Sequence, residues 1–181
     1  SVYGGAGNDF INTFNGDDYA EGGSGNDTLS GGYGSDSLFG GIGSDNIDGN
    51  AGNDYIDGGE ENDYLSGGQG QDTILGGTGD DFILDIQGDD SISAGAGADT
   101  VYSGVGDDTV YGEDGDDFVN AYDGNDLIDG GAGNDVLQGG LGADTLFAGT
   151  GADTLNGGND ADLLIAGQSD TEGDSLFGDL G

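Results

Sequence analysis

The sequence predicts an all-β chain built from one short unit repeated along its length. Three observations carry this. An Asp recurs every nine residues from Asp9 to Asp162, an aliphatic residue follows two places after it in nearly every unit, and 45 of the 181 residues are Gly. So acidic and Gly-rich a chain would ordinarily stay disordered for want of apolar surface. The strict period argues instead for a stacked repeat architecture.

Residues 4–165 divide into eighteen consecutive nonapeptides without insertion or deletion, in the frame G-G-x-G-x-D-x-U-x with U aliphatic. Clear copies are Gly22-Gly23-Ser24-Gly25-Asn26-Asp27-Thr28-Leu29-Ser30 and Gly130-Gly131-Ala132-Gly133-Asn134-Asp135-Val136-Leu137-Gln138. Within a unit, positions one to six read as a loop. Their glycines permit positive φ and close backbone approach, which aims carbonyl oxygens at one point. Position six is Asp in all eighteen copies: Asp9, Asp18, Asp27, Asp36, Asp45, Asp54, Asp63, Asp72, Asp81, Asp90, Asp99, Asp108, Asp117, Asp126, Asp135, Asp144, Asp153 and Asp162. These are the candidate metal ligands. Positions seven to nine read as a short strand whose middle residue turns inward and whose outer two turn out. Position eight is Leu, Ile or Val in seventeen copies, with Ala20 the exception.

The composition excludes most chemistry. There is no Lys, Arg, His or Cys, so no imidazole base, Schiff-base amine, thiolate or guanidinium clamp can be assembled, and no enzyme is expected. A net charge of −38 with no basic side chain repels nucleic acid and anionic lipid, and no apolar run is long enough for membrane insertion. A cation is the natural partner. Six to eight oxygen ligands suit Ca²⁺, whereas Zn²⁺ favours His or Cys and Mg²⁺ demands stricter geometry. Pairs such as Asp80-Asp81 and Asp107-Asp108 read as the repeat Asp preceded by a loop residue that adds charge, not as catalytic carboxylates. The loops also lack the Lys that a phosphate cradle would use.

The frame resembles the RTX family of calcium-binding nonapeptide repeats over essentially the whole chain. The resemblance implies a single right-handed parallel β-roll spanning 1–181, with two nonapeptides per turn and no second domain. Odd and even copies would then form separate sheets, with calcium between each loop and the loop 18 residues on. Two columns of nine loops leave up to about 16 internal Ca²⁺ sites. One aliphatic residue per unit makes a thin core, so folding is expected to depend on the ion. The family also implies an extracellular setting reached by type I secretion, with folding after export. The role expected is a non-catalytic structural protein of a filament or surface layer; the alternative is a calcium-triggered folding and secretion module of a larger toxin, hydrolase or adhesin.

Several loops depart from the frame. Thr13-Phe14, Asp85-Ile86, Ala121-Tyr122, Glu60-Glu61 and Gly158-Asn159-Asp160 each replace at least one loop Gly. An irregular repeat over 166–177 contains a three-residue insertion, because Asp174 and Leu176 resume the pattern late; with Asp170 and Glu172 it could cap a column. Phe82, Leu84, Tyr102 and Phe118 fall on one sheet face and form a candidate contact surface. The chain opens Ser1-Val2-Tyr3, has no Met, and reads as a processed or excised segment. Its two ends are nearly complementary in repeat phase, which suggests head-to-tail self-association, with the Gly181 carboxylate supplying the oxygen of the missing Asp.

Overall fold

The computed structural model describes residues 1–167 and 173–178. Asp170, Glu172 and the Gly181 carboxylate, given roles above as a cap and an end contact, lie outside the described residues. Among the described residues the chain is strand and loop throughout, with no helix. Twenty strands, from Val2–Ala6 to Ser175–Gly178, alternate between two ten-stranded parallel sheets, so each turn contributes one strand to each sheet. This is the expected parallel β-roll, of ten turns. Pairing runs at a constant offset of 18 residues, as in Leu38↔Ile56, Ile83↔Val101 and Leu137↔Leu155. The last pairing in the second sheet, Thr154↔Ser175 and Leu155↔Leu176, is offset by 21, the three extra residues that the sequence inserts.

Position eight forms the core. From Ile11 and Leu29 through Ile83 and Val101 to Leu155 these side chains are buried between the sheets, and Leu164 packs at the end of the row. A single aliphatic column from each sheet suffices because opposing sheets meet within about 10 Å.

The strands are longer than the three residues expected. Most have six, as in Thr28–Tyr33 and Ser37–Ile42, and run on through positions one to three of the next unit. Burial alternates over their first four residues, so position one faces inward as position eight does. The loop proper is therefore only positions four to six. Sequence patterning misses this because Gly at position one carries no hydrophobic signal. In five places the strand keeps only three residues, as in Phe10–Asn12, Phe82–Leu84, Thr100–Tyr102, Thr145–Phe147 and Leu163–Ile165. Each precedes a position one that is not Gly: Thr13, Asp85, Ser103, Ala148 or Ala166.

The loops demand left-handed backbone. Gly25, at position four, has φ of 116°, and a Cβ there would lie 2.7 Å from the Gly7 carbonyl oxygen of the turn below. Where the frame lacks Gly the conformation persists: Glu61 at position four has φ of 77°, and Phe14 and Tyr122 at position two have 70° and 73°. A non-Gly residue held there carries about 1–2 kcal/mol of strain. Glu61 is exposed, so Glu61→Gly is expected to raise the stability of the calcium-loaded roll by about that amount. Thermal unfolding in calcium reads it, and an unchanged or lower midpoint would contradict the strain assignment.

The outer faces carry aromatic ladders. Tyr3, Tyr19, Phe39 and Tyr55 follow one another on the first sheet with ring centroids 5.2–5.7 Å apart, and Tyr64, Phe82, Tyr102 and Phe118 do so on the second at 5.2–5.8 Å. Phe82, Leu84, Tyr102 and Phe118 are half-buried. Tyr64 and Phe82 stack while the other pairs are tilted or edge-on, and such ring contacts stabilise neighbouring strands by about 0.5–1.5 kcal/mol per pair.

Candidate metal columns

Position six lies where one strand has ended and the next begins on the opposite sheet. Odd and even copies therefore place their aspartates in two columns on opposite edges of the roll, Asp9, Asp27, Asp45 and onward in one and Asp18, Asp36, Asp54 and onward in the other. In every one of the sixteen gaps between successive loops, the backbone N–H of an Asp donates to Oδ1 of the Asp 18 residues later, at 2.7–3.1 Å. Beyond them Asp153 N–H donates to Oδ1 of Asp174 at 3.2 Å, so the late Asp takes its place in the odd column despite the insertion.

With Oδ1 engaged, the other oxygen decides the chemistry. In Asp27, Asp45, Asp63 and Asp81 of one column, and Asp36, Asp54, Asp72 and Asp90 of the other, Oδ2 is buried and accepts no hydrogen bond. An unpaired buried carboxylate oxygen is costly, and the chain has no basic side chain to offset it. Other oxygens converge on it. A Cβ on Gly4 would lie 2.7 Å from Asp9 Oδ2 and 2.6 Å from the Gly22 carbonyl oxygen; on Gly130 it would lie 2.5 Å from Asp135 Oδ2 and 2.7 Å from the Ala148 oxygen. Position one is thus bare because its own Asp and the turn above fill the space with oxygen. A hard divalent cation that takes carboxylate and carbonyl oxygens fits this donor set.

Burial raises the carboxyl pKa values along the middle of both columns. Asp45, Asp54, Asp81 and Asp108 are pushed up to about 6, and Asp63, Asp99, Asp126 and Asp135 to about 7. Loss of hydration is the main cause, and the donated backbone N–H works against it. Without a cation the folded chain holds more protons than the unfolded chain between about pH 4 and 7, so its stability falls as pH rises through that window. Two opposite trends are expected. In chelator, β structure should be gained as pH drops from 7 towards 4; in calcium, affinity should weaken over the same range because ligands must be ionised. Circular dichroism and calcium titration at stepped pH check both, and pH-independent behaviour would contradict the carboxylate columns.

Position five does more than add charge. Its Asn or Asp Oδ1 accepts the position-five N–H one turn later, as in Asn8 from Asn26 at 3.1 Å, Asp80 from Ala98 at 2.9 Å and Asp116 from Asn134 at 2.7 Å. Ten such bonds form an outer ladder running opposite to the inner one. The frequency of Asn and Asp at this position was the available signal. On the outer face of the second sheet a cleft of about 540 Å³ lies between Phe14, Tyr33 and Ile86, and the one carboxylate lining it is Asp48.

Comparison with known proteins agrees with this geometry. The RTX calcium-binding nonapeptide repeat profile, four copies long, matches residues 1–29, 21–56, 30–65, 48–83, 87–110, 102–137, 111–146 and 138–171. The chain belongs to the RTX calcium-binding repeat family. Among solved structures, this RTX roll is similar to a hyperactive, Ca²⁺-dependent, β-helical antifreeze protein from an Antarctic bacterium, with a TM-score of 0.70 and 27% identity. The match covers 96% of this chain and 65% of that one, so the RTX roll spans about two thirds of its neighbour's length. No curated protein matches it.

Proposed function

We infer that the protein is a non-catalytic, calcium-assembled structural roll that works outside the cell. Two columns of buried Oδ2 atoms without hydrogen-bond partners support this reading above all. Each repeat Asp would give Oδ2 to a calcium ion lying between its loop and an adjacent one, with backbone carbonyls completing the shell, for up to about 16 internal ions. When bound, the ions supply the positive charge that a chain of net charge −38 lacks. The chain's own contribution is to stack the carboxylates in register, exclude water from them, and hold each Oδ1 by a backbone N–H. Millimolar external calcium would then convert a disordered polyanion into a rigid rod after export. The missing His, Lys, Arg and Cys, and a cleft with a single lining carboxylate, favour a role without catalysis.

Two uses of the rod compete. One is a filament of copies stacked end to end, since a parallel roll with a constant register of 18 can continue its sheets and loop columns from one copy into the next. The 65% coverage of the antifreeze neighbour favours a folding module within a longer protein. Ice binding is not the reading adopted, because position three offers Thr only at Thr78 and Thr150, four turns apart, and no threonine ladder. Light scattering in calcium at rising protein concentration separates the two uses. Stacking predicts particles growing well beyond the roughly 45–50 Å of ten turns, and a persistent monomer of that length would leave the module reading.

A further inference from the structure

Asp85 occupies position one of its unit, where twelve of the eighteen copies have Gly. Since position one faces inward, its carboxylate is directed into the even column and not to solvent, and the residue is only 2% exposed. Oδ1 accepts the Gly68 N–H at 2.9 Å and its neighbour Ile86's N–H at 2.7 Å. Oδ2 is buried and accepts no hydrogen bond. Carboxylate oxygens of Asp72, Asp85 and Asp90 lie within 4.8 Å of one another.

The contrast with the turns below defines what is different. A Cβ on Gly49 would meet the position-one carbonyl oxygen of the next turn, Gly67 O, at 2.7 Å, and one on Gly58 would meet Gly76 O at 2.6 Å. On Gly67 the same test meets Asp85 Oδ2 instead, beside Asp72 Oδ2 at 2.5 Å. A charged oxygen thus stands where other gaps present a neutral one. Asp72 and Asp90 have their own Oδ2 atoms buried and without hydrogen-bond partners, so each of the three clustered carboxylates carries a buried, unpartnered oxygen.

We propose that Asp72, Asp85 and Asp90 form a three-carboxylate calcium site, distinct from the two-carboxylate gaps of the repeat, that holds its ion more tightly than any other. The proposal rests on the calcium reading above and adds a ligand outside the repeat frame. A third carboxylate in a water-poor site strengthens cation binding while raising the cost of leaving the site empty. This gap lies in the fifth of the ten turns, so the ion held there is the first to bind and the last to leave, and the roll grows outward from it towards both ends.

The test is calcium retention by the full chain in graded chelator, read by metal analysis of the dialysed protein with circular dichroism in parallel. Wild type is expected to keep about one Ca²⁺ per chain at a chelator strength that strips the rest. Asp85→Gly restores the repeat frame and should still fold in millimolar calcium, but lose that retained ion, with at least a tenfold fall in the tightest affinity. Asp85→Asn keeps the shape and removes the charge, and should behave alike. Unchanged retention in both variants, or tighter binding in either variant than in wild type, would overturn the site while leaving the calcium-assembled roll intact. A wild-type chain that binds no calcium would instead overturn the underlying reading.

Discussion

In excess chelator at neutral pH the chain is expected to give the circular dichroism of a disordered polymer, and in millimolar calcium that of a β-rich protein, with a steep transition between. Electrostatics sets this dependence. The core is one aliphatic side chain per nine residues, and around it the fold buries two rows of carboxylates, among them Asp45, pushed up to about 6, and Asp63, to about 7. At pH 7 folding without a cation means burying those charges a strand spacing of roughly 4.8 Å apart along each column. Each ion placed between two loops would relieve both, so binding at one gap orders the next, and the repeats should fold as a linear cooperative array. A β-rich spectrum retained in chelator at pH 7 would contradict this.

The second large effect concerns neighbouring residues in one loop. Asp81 is 2% exposed, its Oδ1 accepts the Asp63 N–H at 2.8 Å, and its Oδ2 is buried without a partner. Asp80, next to it, is exposed and its Oδ1 accepts the Ala98 N–H at 2.9 Å. Asp81→Ala is expected to lose one to two bound calcium ions and raise the calcium midpoint several-fold, because the gaps above and below both lose an oxygen. Asp80→Ala removes an exposed hydrogen bond of about 0.5–1.5 kcal/mol and one screened charge, and should keep the full complement of ions. Equal calcium loss in both variants would refute position six as the ligand. Asp99→Ala, one turn above Asp81 in the same column, serves as a replicate of the first effect.

Much of this was legible because the period is rigid. Asp in every unit and an aliphatic two places later give the nine-residue unit with its loop and strand, the resemblance to the RTX repeats adds the register of 18 and the two columns, and Asp174 with Leu176 reveals the insertion that shifts the last pairing to 21. Part of what stayed hidden was hidden because Gly reports permission and not direction. The inward turn of position one is invisible when its occupant has no side chain, so the six-residue strands and the aim of Asp85 become evident only in three dimensions. The position-five ladder was obscured because Asn, Asp, Ser, Gln and Ala all occur there, and a hydrogen bond to the next turn leaves no periodic hydrophobic trace.

The measurement that bears most directly on the central claim is an anomalous difference map from crystals grown in calcium at neutral pH. The account predicts two rows of calcium peaks along the opposite loop edges, one in each gap between successive aspartates and spaced by roughly the 4.8 Å of the strand ladder. A roll whose peaks lie only on exposed carboxylates such as Asp80, Asp107 and Asp116, with the inner Asp columns empty, would contradict it.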